Sequence, residues 1–107
     1  MSWYAIRTVY QFGTKRNGIN VFEERIICFY AQTWPEAHSR AEAEAAEYAR
    51  ENGFKAHSEQ YGYEQDGTAL VDGYELWSEL FEANASLESF YNARYVNFLY
   101  TPDEPEE

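Results

Sequence analysis

Two segments rich in aromatic and β-branched residues open the chain, at residues 3–12 and 21–31. The residues between them, Gly13 to Gly18, are of the types that favour turns, so the pattern predicts a long β-hairpin. In neither strand do alternate positions form a clearly polar face. We therefore expect both faces of the hairpin to contact a second helix, a symmetry-related copy or a partner. The polar exceptions are interpreted as a cross-strand ion-pair cluster of Arg7, Glu23, Glu24 and Arg25.

The clearest helix signal lies between Thr33 and Gly53. Thr33 can cap the helix, Pro35 is tolerated in its first turn, and Glu36 completes a capping box. A narrow stripe at helical spacing predicts close packing on a sheet, and it consists of Trp34, Ala37, Ala41, Ala45, Tyr48 and Ala49. The opposite face is predicted to be solvated, with an i,i+4 pair between its first two members, and it consists of Glu36, Arg40, Glu44, Glu47 and Glu51.

The region after this helix gives weaker signals. Residues 54–64 predict a third strand, in which Gly62 marks either a bulge or a close approach of other atoms. Asp66 and Gly67 form a turn dipeptide. The run 74–81 is ambiguous, because its apolar residues fit both strand and helix spacing, and we interpret it as a strand.

The C-terminal region is predicted to contain a short helix capped by Ser86, with three apolar or aromatic residues, Leu87, Phe90 and Tyr91. Residues 96–100 are interpreted as a final extended segment. Residues 101–107 contain four acids and two prolines and predict a disordered tail. The whole pattern predicts one α+β domain over residues 1–100, in which the long helix packs on one face of an antiparallel sheet.

Several short segments, taken in order and at their spacings, carry a family resemblance. They are Trp-Tyr-Ala-Ile-Arg at 3–7, Phe-Glu-Glu-Arg-Ile at 22–26, Ala-Glu-Ala-Glu-Ala at 41–45, Asp-Gly-Tyr-Glu-Leu-Trp-Ser at 72–78 and Ser-Leu-Glu-Ser-Phe at 86–90. Over most of residues 3–95 the chain resembles a small bacterial family catalogued as a domain of unknown function (DUF4288-like). The resemblance implies a compact α+β fold with a hairpin, a helix and further antiparallel strands, and it favours a strand at 74–81. It implies no catalytic residues.

Charge divides the chain unevenly. The net charge is −11 over 107 residues, with +2 in residues 1–33 and −13 in residues 34–107. This balance disfavours binding to a nucleic-acid backbone or to an anionic membrane, because both require clustered Lys and Arg. A negative surface that is also rich in aromatic rings suits a basic protein partner.

The residues that most often carry chemistry form no recognisable set here. Cys28 is the only cysteine, so we expect no intramolecular disulfide, and we interpret it as a small core residue with a raised pKa. His38 lies four residues before Glu42, and His57 falls in the predicted third strand, without the spacing of a metal site. We expect no enzyme activity, cofactor or metal. Without a signal peptide or an apolar run of membrane-spanning length, we expect a soluble, cytoplasmic protein.

Residues 59–82 form an acidic stretch in which aromatic residues are interleaved. It has two interpretations: a solvated sheet edge kept acidic against aggregation, or an electronegative surface that attracts a basic protein and uses its rings as anchors. On the second interpretation the candidate partner-binding residues are Tyr61, Tyr63, Glu64, Asp66, Asp72, Tyr74, Glu75, Trp77 and Glu79.

Two classes of function follow from these patterns. The first is an immunity-type inhibitor that neutralises a basic toxin or nuclease domain, since size, acidity and aromatic content suit that role. The second is a homo-oligomeric structural or small-ligand-binding domain, in which the two-sided hairpin is buried against a second copy.

Overall fold

A computed structural model describes residues 1–65, 72–73 and 75–102. It contains three strands, β1 (Ser2–Thr14), β2 (Asn20–Ala31) and β3 (Lys55–Glu64), and two helices, α1 (Trp34–Asn52) and α2 (Leu87–Tyr91), the second continued by a π-helical turn at Asn92–Val96. The strands form one antiparallel sheet in the order β2-β1-β3. The predicted α+β class, with a hairpin and a helix packed on the sheet, is confirmed.

The hairpin forms as predicted. β1 and β2 pair without a register shift from Ser2 opposite Ala31 to Gln11 opposite Phe22, and a shift follows between Gln11 and Gly13. Side chains alternate across the sheet, so the even-numbered residues of β1 face α1. We call this side of the sheet the α1 face. The odd-numbered residues of β1 lie on the opposite side, which we call the second face.

Helix α1 is bounded by the residues that the sequence indicated. The Thr33 hydroxyl accepts a hydrogen bond from the Glu36 amide (3.3 Å), and Gly53 ends the helix in the left-handed region with φ of 72°. That conformation favours glycine because it has no Cβ. The predicted small-residue stripe is confirmed as the packing face, with four alanines buried on β1 and β2: Ala37, Ala41, Ala45 and Ala49.

The predicted solvated face of α1 is wrong in two respects. Arg40 does not pair with Glu36; its guanidinium donates to the carbonyl of Tyr30 (2.9 Å). Glu36 is used at the helix start, where it accepts from the amide of Gln32 (3.0 Å). Glu44 turns towards the sheet and pairs with Arg25 (2.7 Å), because α1 lies close enough for its flanking side chains to reach β2.

Strand β3 confirms the predicted third strand, and Gly62 is a point of close approach. The indole of Trp34 lies directly over Gly62, so that a Cβ atom there would overlap the indole ring. The register shift between β1 and β3 occurs elsewhere, between Thr8 and Tyr10. Of the two roles left open for Gly62, the structure therefore shows the close approach and not the bulge.

On the second face, side chains from residues 75–102 contact the sheet, as in the pairs Arg7–Glu79 and Glu24–Arg94. The predicted strand at 74–81 is wrong: residues 75–81 form no regular element. Side-chain hydrogen bonds hold them to the second face of the sheet, including the bond that Arg7 donates to Glu79. The predicted short helix capped by Ser86 is confirmed. The predicted extended segment at 96–100 is also wrong, because Val96 ends the π-helical turn and 97–100 are irregular.

Some predictions concern residues outside the described part of the chain. These are the turn at Asp66 and Gly67 and, of the predicted disordered tail over residues 101–107, residues 103–107. Within the described part, no helix combines the length and the apolar character that crossing a membrane requires.

Candidate partner-binding site

Arg7 lies at the centre of the acidic and aromatic residues that the sequence singled out. It projects from β1 on the second face, where its two terminal nitrogens donate to both carboxylate oxygens of Glu79, at 2.8 and 3.3 Å. The two side chains are only 16% and 17% exposed. A bidentate arginine–carboxylate pair fixes orientation as well as charge, and the hydrogen bonds from Arg7 hold the pKa of Glu79 below its usual value.

Aromatic rings surround this ion pair. The guanidinium carbon of Arg7 is 5.5 Å from the ring centroids of both Tyr61 and Trp77, which is within cation–π range. The indole nitrogen of Trp77 donates to Glu79 (3.4 Å), and its ring lies 5.9 Å from that of Tyr63. The Tyr63 hydroxyl donates to Glu75 (3.2 Å). We name these six residues the Arg7 cluster: Arg7, Tyr61, Tyr63, Glu75, Trp77 and Glu79.

Strand register explains why residues distant in sequence meet here. Arg7 pairs with Tyr61, and Ala5 pairs with Tyr63, so both tyrosines share the second face with Arg7. Just after β3, the buried Gln65 donates its backbone amide to the carbonyl of Trp3 (2.8 Å) and its side-chain amide to the carbonyl of Leu76 (3.1 Å). Gln65 thus links the irregular segment to the sheet.

The structure brings together five of the nine candidate residues, namely Tyr61, Tyr63, Glu75, Trp77 and Glu79. Glu64 is exposed on β3 but lies on the α1 face, opposite Tyr4. Asp72 is exposed, and Asp66 and Tyr74 lie outside the described residues. That these nine residues bind a partner stays a prediction. Trp77 and Glu79 are half-buried, because both are held against Arg7.

The predicted cross-strand ion-pair cluster on the hairpin is also wrong. Register places Arg7 opposite Ile26 and Arg25 opposite Thr8, so each arginine finds its anion in another layer. Arg7 was therefore missed as the centre of the site. One sequence signal pointed to it: a lone arginine inside an apolar strand needs an anion, and none stands opposite it.

Residues 3–89 match a family model described as a domain of unknown function (DUF4288). The chain belongs to this family. The matched region contains the whole Arg7 cluster and ends inside α2, so the π-helical turn and the residues after it lie beyond the match. The searches of curated proteins and of solved structures found no match to this chain.

The other half-buried arginines also point inward. Arg25 pairs with Glu44 (2.7 Å), and its guanidinium lies 3.7 Å from the ring centroid of Tyr48. The hydrogen bond to Glu44 raises the pKa of Arg25. The Tyr48 hydroxyl donates to Glu23 (2.8 Å), and that bond raises the pKa of Tyr48.

On the second face, Arg94 approaches Glu24 (3.9 Å) and lies over the ring of Phe81 (4.6 Å). With Arg7 and Arg25, it makes three cations that neutralise carboxylates within the molecule. Several exposed carboxylates, by contrast, form no ion pair with any described residue: Glu59, Glu64, Asp72, Glu75, Glu82 and Glu88. The surface therefore carries the negative excess.

The remaining chemical candidates do not converge on this site. His38 pairs with Glu42 (2.8 Å), as its spacing indicated. Cys28 is exposed on β2, so its predicted place in the core is wrong, although partial burial does raise the pKa of its thiol. In the described ranges no three His, Cys, Asp or Glu side chains come together as metal ligands.

Proposed function

We propose that this chain is a small acidic domain that binds a basic protein, and that it acts as an immunity-type inhibitor of a basic toxin or nuclease domain. One observation carries the proposal. Exposed carboxylates that pair with no cation among the described residues occur on and after β3, beside the aromatic Arg7 cluster, while three arginines are turned inward. This arrangement leaves a negative surface next to rings that can contact a partner.

Electrostatic attraction would act first in such a complex. Complementary charge raises the rate of encounter and suppresses wrong partners more than it adds affinity. A chain with a net charge of −11 attracts a basic surface from about 10 Å away at ordinary ionic strength, the distance beyond which salt screens exposed charges. The exposed Glu64, Asp72 and Glu75 are the groups expected to contribute most locally.

The rings would act at shorter range. Tyr61 is 59% exposed and lies on the edge strand β3, where it can be buried by a partner and still donate a hydrogen bond. Tyr63 and Trp77 are half-buried and held by Glu75 and Glu79. We therefore assign direct contact to Tyr61 and a supporting role to Trp77, which keeps the surface rigid before binding.

The proposed role needs no catalytic group, cofactor or metal, because inhibition follows from covering the partner's active surface. A cytoplasmic location is part of the proposal: the single cysteine makes no intramolecular disulfide, which fits a reducing compartment.

A second candidate function is favoured by a different part of the molecule. A cleft of about 970 Å³ opens between the hairpin and the C-terminal segment. Its walls include Val21, Phe22, Phe90 and Phe98, and apolar clefts of this size are typical of ligand sites. This observation supports the ligand-binding form of the alternative, a homo-oligomeric structural or small-ligand-binding domain.

Affinity capture followed by reconstitution tests the first function. The chain serves as bait in an extract of its source cell at low ionic strength, and each captured protein is then purified and mixed with it. We expect a 1:1 complex with a basic protein, and loss of that protein's activity in the complex. A failure to form any stoichiometric protein complex, or a partner that is acidic and bound equally well at high salt, would contradict the proposal.

A further inference from the structure

The two edges of the sheet differ in how well they are protected. β3 carries Gly62 and the charged or polar residues Lys55, His57 and Glu59, and it pairs with β1 through a register shift. Shifts and charges of this kind prevent edge strands from pairing with other chains. From Phe22 to Ala31, β2 contains no proline or glycine and keeps a regular register with β1. Within the described part of the chain, β2 has no neighbour on its outer side.

Strand β2 also exposes an apolar stripe on the second face. Phe22 is 63% exposed, Ile26 46% and Tyr30 45%, and Cys28 lies between the last two. We name these four residues the β2 stripe. Between Phe22 and Ile26 lies Glu24, the only charged residue of β2 on this face, and it faces Arg94. A contiguous apolar patch beside an open strand edge indicates an interaction surface.

Charge identifies which occupant fits this surface. Each ionisable side chain of β2 with a charge at neutral pH has a partner inside its own molecule: Glu23 accepts from Tyr48, Glu24 faces Arg94, and Arg25 pairs with Glu44. Two copies of a chain with a net charge of −11 repel each other wherever their carboxylates are unmatched. Because the Tyr48 hydroxyl is neutral, Glu23 is the one carboxylate of β2 without a cationic partner among the described residues, and it lies on the α1 face. On the second face the only carboxylate of β2, Glu24, faces Arg94. Repulsion between two copies is therefore weak at this edge, and the edge has little negative charge to attract a basic protein.

We propose that two copies of this chain associate through their β2 edges, paired antiparallel about a two-fold axis at Ile26. An antiparallel pair of identical strands is self-complementary, as a closed dimer requires. The result is a six-stranded sheet in the order β3-β1-β2-β2-β1-β3. At one end of the edge Arg40 donates to the carbonyl of Tyr30, so the backbone pairing centres on residues 24–28, and Phe22 and Tyr30 flank it.

The position of the axis follows from the side chains. With the axis at Ile26, that residue lies opposite the partner's Ile26, and Phe22 lies opposite the partner's Tyr30. Glu24 then lies opposite the partner's Cys28, so the carboxylates stay apart. An axis at Glu24 or at Arg25 would instead place identical charges directly opposite each other, which destabilises a strand pair.

This dimer is independent of the proposed inhibitor function. Pairing at β2 leaves both β3 edges, with their Arg7 clusters, at the outer ends of the sheet. A chain could therefore dimerise without binding a basic protein, or bind one without dimerising, and the two experiments fail separately.

The mass in solution tests the dimer, measured by light scattering or sedimentation at micromolar protein. The wild type should show twice the chain mass of 12.5 kDa. Ile26→Lys and Ile26→Glu should each be monomeric, because each places like charges at the axis. Mixing the two variants should restore a dimer. Leu87→Lys makes the same change of charge at a more exposed apolar site, 86% exposed on α2 against 46% for Ile26, and should remain dimeric.

A cross-linking experiment tests the register without any introduced charge. In a Cys28→Ser background, Ile26→Cys should form a covalent dimer on mild oxidation. The Cα atoms of directly opposite residues in an antiparallel pair are about 4.5–5.5 Å apart, a distance that a disulfide can span. Phe22→Cys, which lies opposite the partner's Tyr30, should cross-link at least about tenfold less, because disulfide geometry is narrow. The proposal would be overturned if the wild type were monomeric or if Ile26→Lys left the dimer unchanged. It would also be overturned if the mixture of the two charged variants stayed monomeric, or if both cysteine positions cross-linked equally.

Discussion

The Arg7–Glu79 pair gives the sharpest test of how the acidic segment is held to the sheet. Glu79→Gln keeps the shape of the side chain and removes its charge, and Arg7→Met keeps an apolar stem without the guanidinium. The pair consists of two hydrogen bonds between charged groups that are mostly shielded from water. Hydrogen bonds to charged groups contribute about 1.5–3 kcal/mol, whereas exposed ion pairs contribute about 0–1 kcal/mol. Because the Arg7–Glu79 pair is shielded but not fully buried, we expect its interaction free energy to be intermediate, about 1–2 kcal/mol.

A double-mutant cycle in urea measures that free energy, because it separates the pair from what each residue does alone. Arg7→Met also loses contact with Tyr61 and Trp77, so its single effect should exceed that of Glu79→Gln. Glu82→Gln is the matched control: Glu82 is exposed and has no ion pair among the described residues, so its effect should lie within about 0.5 kcal/mol of zero. A coupling below about 0.3 kcal/mol, the usual error of additivity, would refute the reasoning.

The same pair predicts a dependence of stability on pH. Arg7 lowers the pKa of Glu79 in the folded state. The stabilisation is therefore complete above the pKa of Glu79 in the unfolded chain, and it is lost as the pH falls through the lower folded value. The difference in unfolding free energy between wild type and Glu79→Gln should be constant near neutrality and shrink below about pH 4.5. A difference that grows on acidification would contradict this assignment.

Two further substitutions test the packing of α1 on the sheet. Ala45→Leu should overpack the helix–sheet contact and cost about 1–3 kcal/mol in urea unfolding, whereas Ala43→Leu, on the exposed side of α1, should change stability by less than about 0.5 kcal/mol; equal tolerance would show that the packing face is wrong. Gly62→Ala should displace the indole of Trp34, seen as a change in tryptophan fluorescence together with a loss of about 1–3 kcal/mol. Gly13→Ala is its control, because a Cβ there meets no atom within 4 Å, and an unchanged spectrum for Gly62→Ala would show that the close approach is absent.

Local patterns predicted the elements that local forces determine. The hairpin followed from two β-rich runs around a turn, and α1 followed from Thr33, Gly53 and an alanine stripe, all of which act within a few residues. The packing face of α1 was correct for the same reason, since spacing alone decides which side chains share a helix face.

Contacts between layers were beyond these patterns. The apolar spacing of run 74–81 fits both a strand and a helix, and the family resemblance favoured a strand. Described residues 75–81 are instead placed by single side-chain bonds, such as that from Arg7 to Glu79, which is 72 residues away in sequence. Likewise, Arg25 could have paired across the hairpin, but α1 brought Glu44 within reach. Five of the nine acidic and aromatic residues that the sequence singled out lie together in the Arg7 cluster. The sequence did not reveal that Trp77 and Glu79 turn inward.

The central claim is that an acidic, aromatic edge attracts a basic partner, and association kinetics test it most directly. Glu64, Asp72 and Glu75 are exposed and carry no ion pair with a described residue. Reversing all three to lysine, the edge variant, removes one exposed hydrogen bond, from Tyr63 to Glu75, and should leave the fold intact. The control variant reverses three charges on the outer face of α1, at Glu42, Glu47 and Glu51. It therefore has the same net charge as the edge variant.

Stopped-flow association with the reconstituted partner, at low and at high salt, is the measurement. At low salt the edge variant should associate at least about tenfold more slowly than the control variant, and its rate should depend less on salt. Equal rates for the two variants would show that only net charge matters. An edge variant that binds at the wild-type rate would contradict the proposed site.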